Sequence, residues 1–273
     1  MPIITLTTDF GQKDPDLAYL KSQILQLIPD ARLVDISHDI LPFDPDEAIY
    51  IIKNSLKKFP ERSIHIVGVE SAVNSDQKPV LIRSRGQFYL GKDNGILTTA
   101  LEDPNMLVYA LNIEEDDSFM TVQLKTAQLL SQGVSPSELG EIMDDYKRLS
   151  LSKPLVKYDE ATGEVALIAP KVIYTDHYGN AVFNLLRQDF LQWQKNRPFK
   201  IKVSHYVMDR ILSSYNDALL HQDQMVTVEG HMFAHFNRFD HFEIFIYKSN
   251  RQTGGANTLL GLDKNKTVHI VFD

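Results

Sequence analysis

The chain of 273 residues contains no cysteine. That excludes disulfides and thiolate metal ligation. It also lacks a basic excess: the formal charge is −8, whereas a phosphate-backbone binder needs clustered Lys and Arg. No run of about 18 apolar residues occurs, so no membrane-spanning helix is expected. The start, MPIITLTTDF, has neither the basic region nor the apolar stretch of a signal peptide. The histidines are scattered without an HxxxH-plus-carboxylate spacing, so no metal site and no metal cofactor are expected. GxGxxG, GxxxxGK[ST] and GxSxG are all missing, which removes the usual signals for dinucleotide binding, P-loop nucleotide binding and a nucleophile elbow. Neither internal repeats nor low-complexity segments are found. An acidic, soluble, cytoplasmic protein is the expectation, with no nucleic-acid or membrane partner.

What is present is alternation. IITLTTDF is rich in β-branched residues and runs into Gly11, as a strand entering a loop does. Leu17, Leu20, Ile24 and Leu27 share one helical face, and that helix should stop before Pro29. ARLVDISH reads as a second strand. Asp44 and Pro45 form an N-cap and first-turn pair for a helix carrying Ile52, Leu56 and Phe59. SIHIVGV is a third strand, and VLIRSR with QFYLG reads as a hairpin turning near Gly86. A helix from about Val122 to Gln132 is closed by Gly133. This predicts an α/β domain over residues 1–155 with a mainly parallel sheet covered on both faces.

The texture changes at KPLVKYDEATGE, residues 153–164, which reads as a polar boundary. Beyond it short strands dominate: EVALIAP, KVIYTD, FKIKVSH, QMVTVEG, FEIFIY and TVHIVFD, interrupted by a helix around Gln188–Lys195. A second domain over 165–273, a small antiparallel β-barrel or sandwich, is predicted.

Open α/β sheets bind ligands beyond the carboxyl ends of their strands. There the sequence places Asp9, His38 and Asp39, Glu70 in the loop HIVGVESAVNSDQKPV, and Asp93 and Asn94 in GKDNG. In the second half, TDHYGN puts Asp176, Tyr178 and Asn180 at a turn. Each also has a plainer reading as turn or cap chemistry, and His38 reads as a hydrogen-bonded structural residue rather than a base.

Five blocks, TLTTDFG, PDARLVDISHDILPFD, FPERSIHIV, DNGILTTALE and TDHYGN, resemble in order and spacing the S-adenosylmethionine hydroxide adenosyltransferases. That superfamily includes the fluorinases and chlorinases. The resemblance implies an N-terminal α/β domain, a C-terminal β-barrel, a homotrimer, and sites between the N-terminal domain of one subunit and the C-terminal domain of the next. The implied reaction is attack on C5′ of S-adenosylmethionine by water or halide, with methionine leaving. Asp9 matches the aspartate that holds both ribose hydroxyls, and Phe43 an aromatic beside the sugar and sulfonium. Asp176 and Asn180 match the pair that recognises the methionine amino group, and Tyr178 an aromatic of the adenine pocket. Asn237 matches an asparagine of the C-terminal motif, although Arg238 stands where serine is usual. YKSNRQTGGANT is longer than the family norm.

The departure is catalytic. Family members read VDPGVG and then ERR; this chain reads VESAVN and then DQK. The resemblance therefore puts Glu70 at the aspartate position and Gln77 at the arginine position, with Lys78 one place along. The family histidine of a phrase like FHGRD has no counterpart near Met120. The catalytic candidates are thus Glu70 and Lys78 in a weakened set. A carboxylate shifted by about 1 Å can cost on the order of 10²-fold, and general base help is worth roughly 10²–10⁴. Three readings stay open at this point: a slow hydrolase, a non-catalytic adenosyl-ligand sensor or scaffold, and an enzyme with another nucleophile or nucleoside substrate.

Overall fold

The computed structural model describes residues 1–69, 77–114, 118–224, 228–249 and 253–273, with residues 220–224 described by backbone alone. It divides into two compact units, Met1–Ser150 and Leu151–Asp273.

In the first unit the strands are β1 (Ile3–Thr8), β2 (Arg32–Ser37), β3 (Ile64–Gly68), β4 (Pro79–Ser84), β5 (Gln87–Lys92), β6 (Leu107–Leu111) and β7 (Gly140–Ile142). The helices are α1 (Asp16–Leu27), α2 (Pro45–Ser55), α3 (Ile96–Leu101), α4 (Phe119–Ser131) and α5 (Pro136–Leu139). One seven-stranded sheet has the order β2-β1-β3-β5-β4-β6-β7. β2, β1, β3 and β5 run parallel, while β4, β6 and β7 add antiparallel pairs. The parallel strands β1, β3 and β5 are largely buried, because their apolar runs alternate side chains into both faces, while β2 at the sheet edge is only partly covered. Ile4, Leu6, Ile64, Ile66 and Leu90 pack with Leu20 and Ile24 of α1 and Val122 and Ala127 of α4. Val67, Ile82 and Tyr89 pack on the other face with Ile49 and Ile52 of α2 and Leu97 of α3.

The cap expected at Asp44 is present: its Oδ1 accepts from the Glu47 amide at 3.2 Å, with Pro45 opening α2. α2 is shorter than expected. It ends at Ser55, and Leu56–Lys58 tighten into a 3₁₀ turn before Pro60.

In the second unit the strands are β8 (Leu155–Tyr158), β9 (Val165–Ala169), β10 (Val172–Thr175), β11 (Ala181–Leu186), β12 (Phe199–Val203), β13 (Tyr206–Met208), β14 (Met232–Phe236), β15 (His241–Ile246) and β16 (His269–Phe272). α6 (Arg187–Gln194), α7 (Ala256–Leu259) and a 3₁₀ stretch at Tyr215–Gln224 complete it. The strands pair as β10-β11-β15-β14 and β13-β12-β16-β9-β8. Among the described residues these are two antiparallel sheets rather than one closed ring. Phe183 and Phe242 from one sheet meet Ile168, Ile201 and Ile270 from the other in a shared core. The segment read as a polar boundary contains β8, since only Val156 of its side chains turns inward against β9. The strand expected at QMVTVEG includes residues 225–227, outside the described set. No helix among the described residues is long and apolar enough to cross a membrane.

Candidate functional site

Two groups of candidate residues emerge, one in each unit. In the first unit β1, β2, β3 and β5 are parallel, so their carboxyl ends share one edge of the sheet. Asp9 follows β1 at that edge, half-buried, and its amide donates to the Gly68 carbonyl at 3.3 Å. His38 follows β2, with Nδ1 2.8 Å from the Thr8 hydroxyl. Asp93 and Asn94 follow β5. Both bond within the chain: Asp93 Oδ1 accepts from the Lys147 amide at 2.8 Å. Asn94 Nδ2 donates to the Val69 carbonyl at 3.0 Å, and its Oδ1 accepts from Ile96 at the start of α3. Of these bonds the one from Ile96 to Asn94 Oδ1 is local turn chemistry, and the other two tie the turn to distant segments.

Glu70 lies outside the described residues. Lys78 is exposed ahead of β4, and its carbonyl accepts from the Asp93 amide at 2.8 Å. Gln77 beside it is half-buried. Phe43 stands in the turn between β2 and α2, 56% exposed and at φ 62. A bulky residue in that left-handed region costs roughly 1–2 kcal/mol, so an exposed aromatic is being held there against strain.

The second group surrounds a cavity of about 400 Å³ lined by Asp176, Tyr178, Asn180, Tyr215 and Ser249. The Asp176–Asn180 turn builds it. Asp176 Oδ1 accepts from the amides of Tyr178 (2.9 Å) and Asn180 (2.8 Å), and Oδ2 accepts from Asn180 Nδ2 (2.9 Å). Gly179 allows the turn with φ 81, and its backbone touches that of Gly255, where either Cβ would lie under 3 Å from the other glycine's Cα. Tyr178, 61% exposed, presents its ring to solvent, while its carbonyl accepts from Ser249 Oγ at 3.2 Å. Burial raises the Asp176 pKa, and the neighbouring Glu243 charge raises it further, against the three hydrogen bonds that lower it.

Glu243 also ties Asn237 into this group. Asn237 Nδ2 donates to Glu243 Oε2 at 3.0 Å, and Asn237 Oδ1 accepts from the Phe239 and His241 amides. His235 Nε2 lies 3.2 Å from Glu243 Oε1. Arg238 is exposed with its guanidinium over the Phe239 ring. Tyr215, Ser249, Glu243 and His235 were not singled out by sequence reasoning. Only Glu243 carried a visible signal, a carboxylate inside the apolar run FEIFI, since an unpaired buried charge is costly. Among the described residues no cluster of three His, Asp or Glu side chains is placed to hold a metal ion.

The chain matches two domain profiles in order: the SAM hydroxide adenosyltransferase N-terminal domain over residues 4–140 and its C-terminal domain over residues 170–269. It is 28% identical over 221 residues to the (R)-S-adenosyl-L-methionine hydrolase of Methanocaldococcus jannaschii, covering 75% of this chain and 74% of that protein. It is 24% identical over 222 residues to the fluorinase of an Actinoplanes species, covering 69% and 73%. In fold it is similar to an uncharacterized conserved protein from Thermotoga maritima, with a TM-score of 0.77 at 20% identity over 98% of this chain and 99% of that one. A conserved hypothetical protein from Thermus thermophilus superposes over the full length of both chains with a TM-score of 0.69 at 24% identity. Since the two profiles together span most of its length, the chain belongs to the SAM hydroxide adenosyltransferase family.

Proposed function

We propose that the protein binds S-adenosylmethionine, or its adenosine part, in pockets shared between copies of a cytoplasmic homotrimer, and that it hydrolyses S-adenosylmethionine to adenosine and methionine only slowly. The observation that carries this reading is the Asp176 pocket. A carboxylate that is desolvated, oriented by three N–H donors and set on the wall of a cavity is prepared to receive an ammonium group. An incoming cation stabilises the ionised form that burial disfavours, so binding relieves a cost already present in the empty site. In this reading Asp176 and Asn180 take the methionine amino group and Tyr178 faces the adenine. Asp9 holds the ribose diol, because a carboxylate accepts two O–H bonds at once. The ribose ligand Asp9 then belongs to one unit and the adenine and methionine ligands Tyr178, Asp176 and Asn180 to the other, which is the support for a pocket completed by a neighbouring copy.

The slow turnover rests on the loop sequence. Hydrolysis requires the oxygen of water to bond C5′, the C5′–S electron pair to leave with methionine, and a water proton to be taken up. Glu70 places its carboxylate one methylene farther along than aspartate, and Gln77 brings no charge where the family has arginine. The relatives named as hydrolases support an S-adenosylmethionine ligand for this chain. The uncharged Gln77 favours a second reading, a non-catalytic sensor or scaffold that keeps the pocket without the reaction.

Incubation of the purified protein with S-adenosylmethionine, followed by chromatography and calorimetry, separates these. Micromolar binding with adenosine release far below that of a family hydrolase is expected. Release as brisk as the hydrolase would overturn the weakened set. Absence of binding to both S-adenosylmethionine and adenosine would remove the pocket assignment.

A further inference from the structure

Asp9 sits at the tip of a turn whose two ends converge on one buried residue, His38. The His38 side chain reaches Thr8, the residue before Asp9, with Nδ1 2.8 Å from the hydroxyl. Its main-chain carbonyl accepts from the Gly11 amide, two residues after Asp9, at 2.7 Å. Thr8 is fully buried and His38 only 3% exposed, so these bonds are shielded from water and stiffer than surface ones. Between the two anchors stand Asp9 and Phe10. Phe10 packs its ring against Gly68 and the apolar layer over β1, which leaves Asp9 as the polar side chain of the turn.

His38 is itself held from behind. Its Nε2 lies 3.2 Å from Asp35 Oδ1, a close contact whose alignment falls short of a directed hydrogen bond. Lys21 Nζ of α1 holds the other Asp35 oxygen at 2.6 Å. Burial raises the Asp35 carboxyl, but Lys21 and His38 outweigh it and leave the net shift downward, so a negative charge faces Nε2 at neutral pH. A proton on Nε2 faces that charge and leaves Nδ1 to accept from the Thr8 hydroxyl. The column Lys21–Asp35–His38–Thr8 thus runs from helix α1 to the base of the Asp9 turn.

We propose that His38 is a positioning residue that clamps both ends of the 8–11 turn and thereby aims the Asp9 carboxylate at a ribose diol. The inference rests on the proposed role of Asp9 as the ribose ligand, and it adds a side chain that does not touch the ligand. Hydrogen bonds weaken steeply with misalignment, and two O–H bonds to one carboxylate demand a fixed orientation.

The test compares adenosine with 2′,3′-dideoxyadenosine by calorimetry on the full chain. Only adenosine offers the diol, so the ratio of the two affinities reads the Asp9 contact alone. Thr8→Val keeps the volume and removes the hydroxyl. It should shrink the ratio roughly five- to tenfold, the range of one hydrogen bond, while dideoxyadenosine affinity stays within about twofold. Thr8→Ser should restore the wild-type ratio. His38→Leu removes the same bond from the other side and should shrink the ratio likewise, which covers the case of a poorly folding Thr8→Val. An unchanged ratio in both Thr8→Val and His38→Leu, with Asp9→Ala abolishing it, would overturn the clamp and leave the Asp9 reading intact. An equal loss for both ligands would also overturn it, because that marks general loosening of the fold. A wild-type ratio near one, or one that Asp9→Ala does not change, would overturn the ribose reading and the clamp with it.

Discussion

His235 and Glu243 face each other across the β14–β15 pair, with His235 Nε2 3.2 Å from Glu243 Oε1. Both are buried, and the other Glu243 oxygen accepts from Asn237. This pair stands behind the Asp176 pocket, where the Glu243 charge adds to burial in raising the Asp176 pKa. Glu243→Gln keeps the shape and removes the charge. Asp176 should then titrate at lower pH than in the wild type, as followed by carbon NMR of its carboxyl. An Asp176 titration that stays in place would show that burial raises it without help from Glu243.

The Gly179–Gly255 contact makes a second expectation. Gly179→Ala puts a side chain at φ 81, worth roughly 1–2 kcal/mol of strain. Its Cβ would also lie 2.9 Å from Gly255 Cα and 2.7 Å from Asn257 Oδ1. Neither backbone yields without moving the Asp176–Asn180 turn. Loss of about 2 kcal/mol or more in denaturant unfolding is expected, along with weaker binding of a methionine-bearing ligand. Unfolding within about 0.5 kcal/mol of wild type would mean that the two backbones part easily.

His65 predicts a pH dependence of stability. It is fully buried on β3, bonded to Thr5 Oγ1 at 2.7 Å and Gln87 Oε1 at 3.1 Å, and stacked on Tyr89. Burial lowers its pKa from 6.5 to about 4, with the Gln87 bond opposing. Tyr89, the titratable side chain against it, is pushed up to about 12 and stays neutral in this range. Because the unfolded chain takes up a proton that the folded chain refuses, His65 contributes no penalty above about pH 6.5. Stability is lost as pH falls from there to about 4, by up to roughly 3 kcal/mol. Urea unfolding at pH 7 and pH 5 should show the drop, and His65→Gln should flatten it. An equally steep drop in His65→Gln would assign it to other groups.

Much of this was legible before the structure. Asp44–Pro45 announced the start of α2, and TDHYGN announced the Asp176 turn, because caps and tight turns are written in adjacent residues. β8 was hidden because LVKY is short and largely exposed, so its pattern matches a polar linker. Tyr215 was hidden for a different reason. It meets Asp176 at the cavity only through the fold, some forty positions along the chain, within a polar stretch that has no period of its own. The His235–Glu243 pair needed the β14–β15 register, which a single sequence does not reveal.

The last expectation concerns Gln123 on α4. Its side chain is fully buried, and neither Nε2 nor Oε1 has a hydrogen-bond partner among the described residues. An amide sealed without partners costs about 1–3 kcal/mol for each unsatisfied group, whereas an apolar side chain of similar length costs nothing of that kind. Methionine matches glutamine in length and flexes to fill irregular space. Gln123→Met should therefore raise Tm, and the gain should persist in high salt because no charge is involved. A fall in Tm would mean that the amide bonds a buried water or a bound molecule in solution. Repeating the melt with adenosine then distinguishes the two: a bound nucleoside would widen the gap between wild type and Gln123→Met, and a structural water would leave it unchanged.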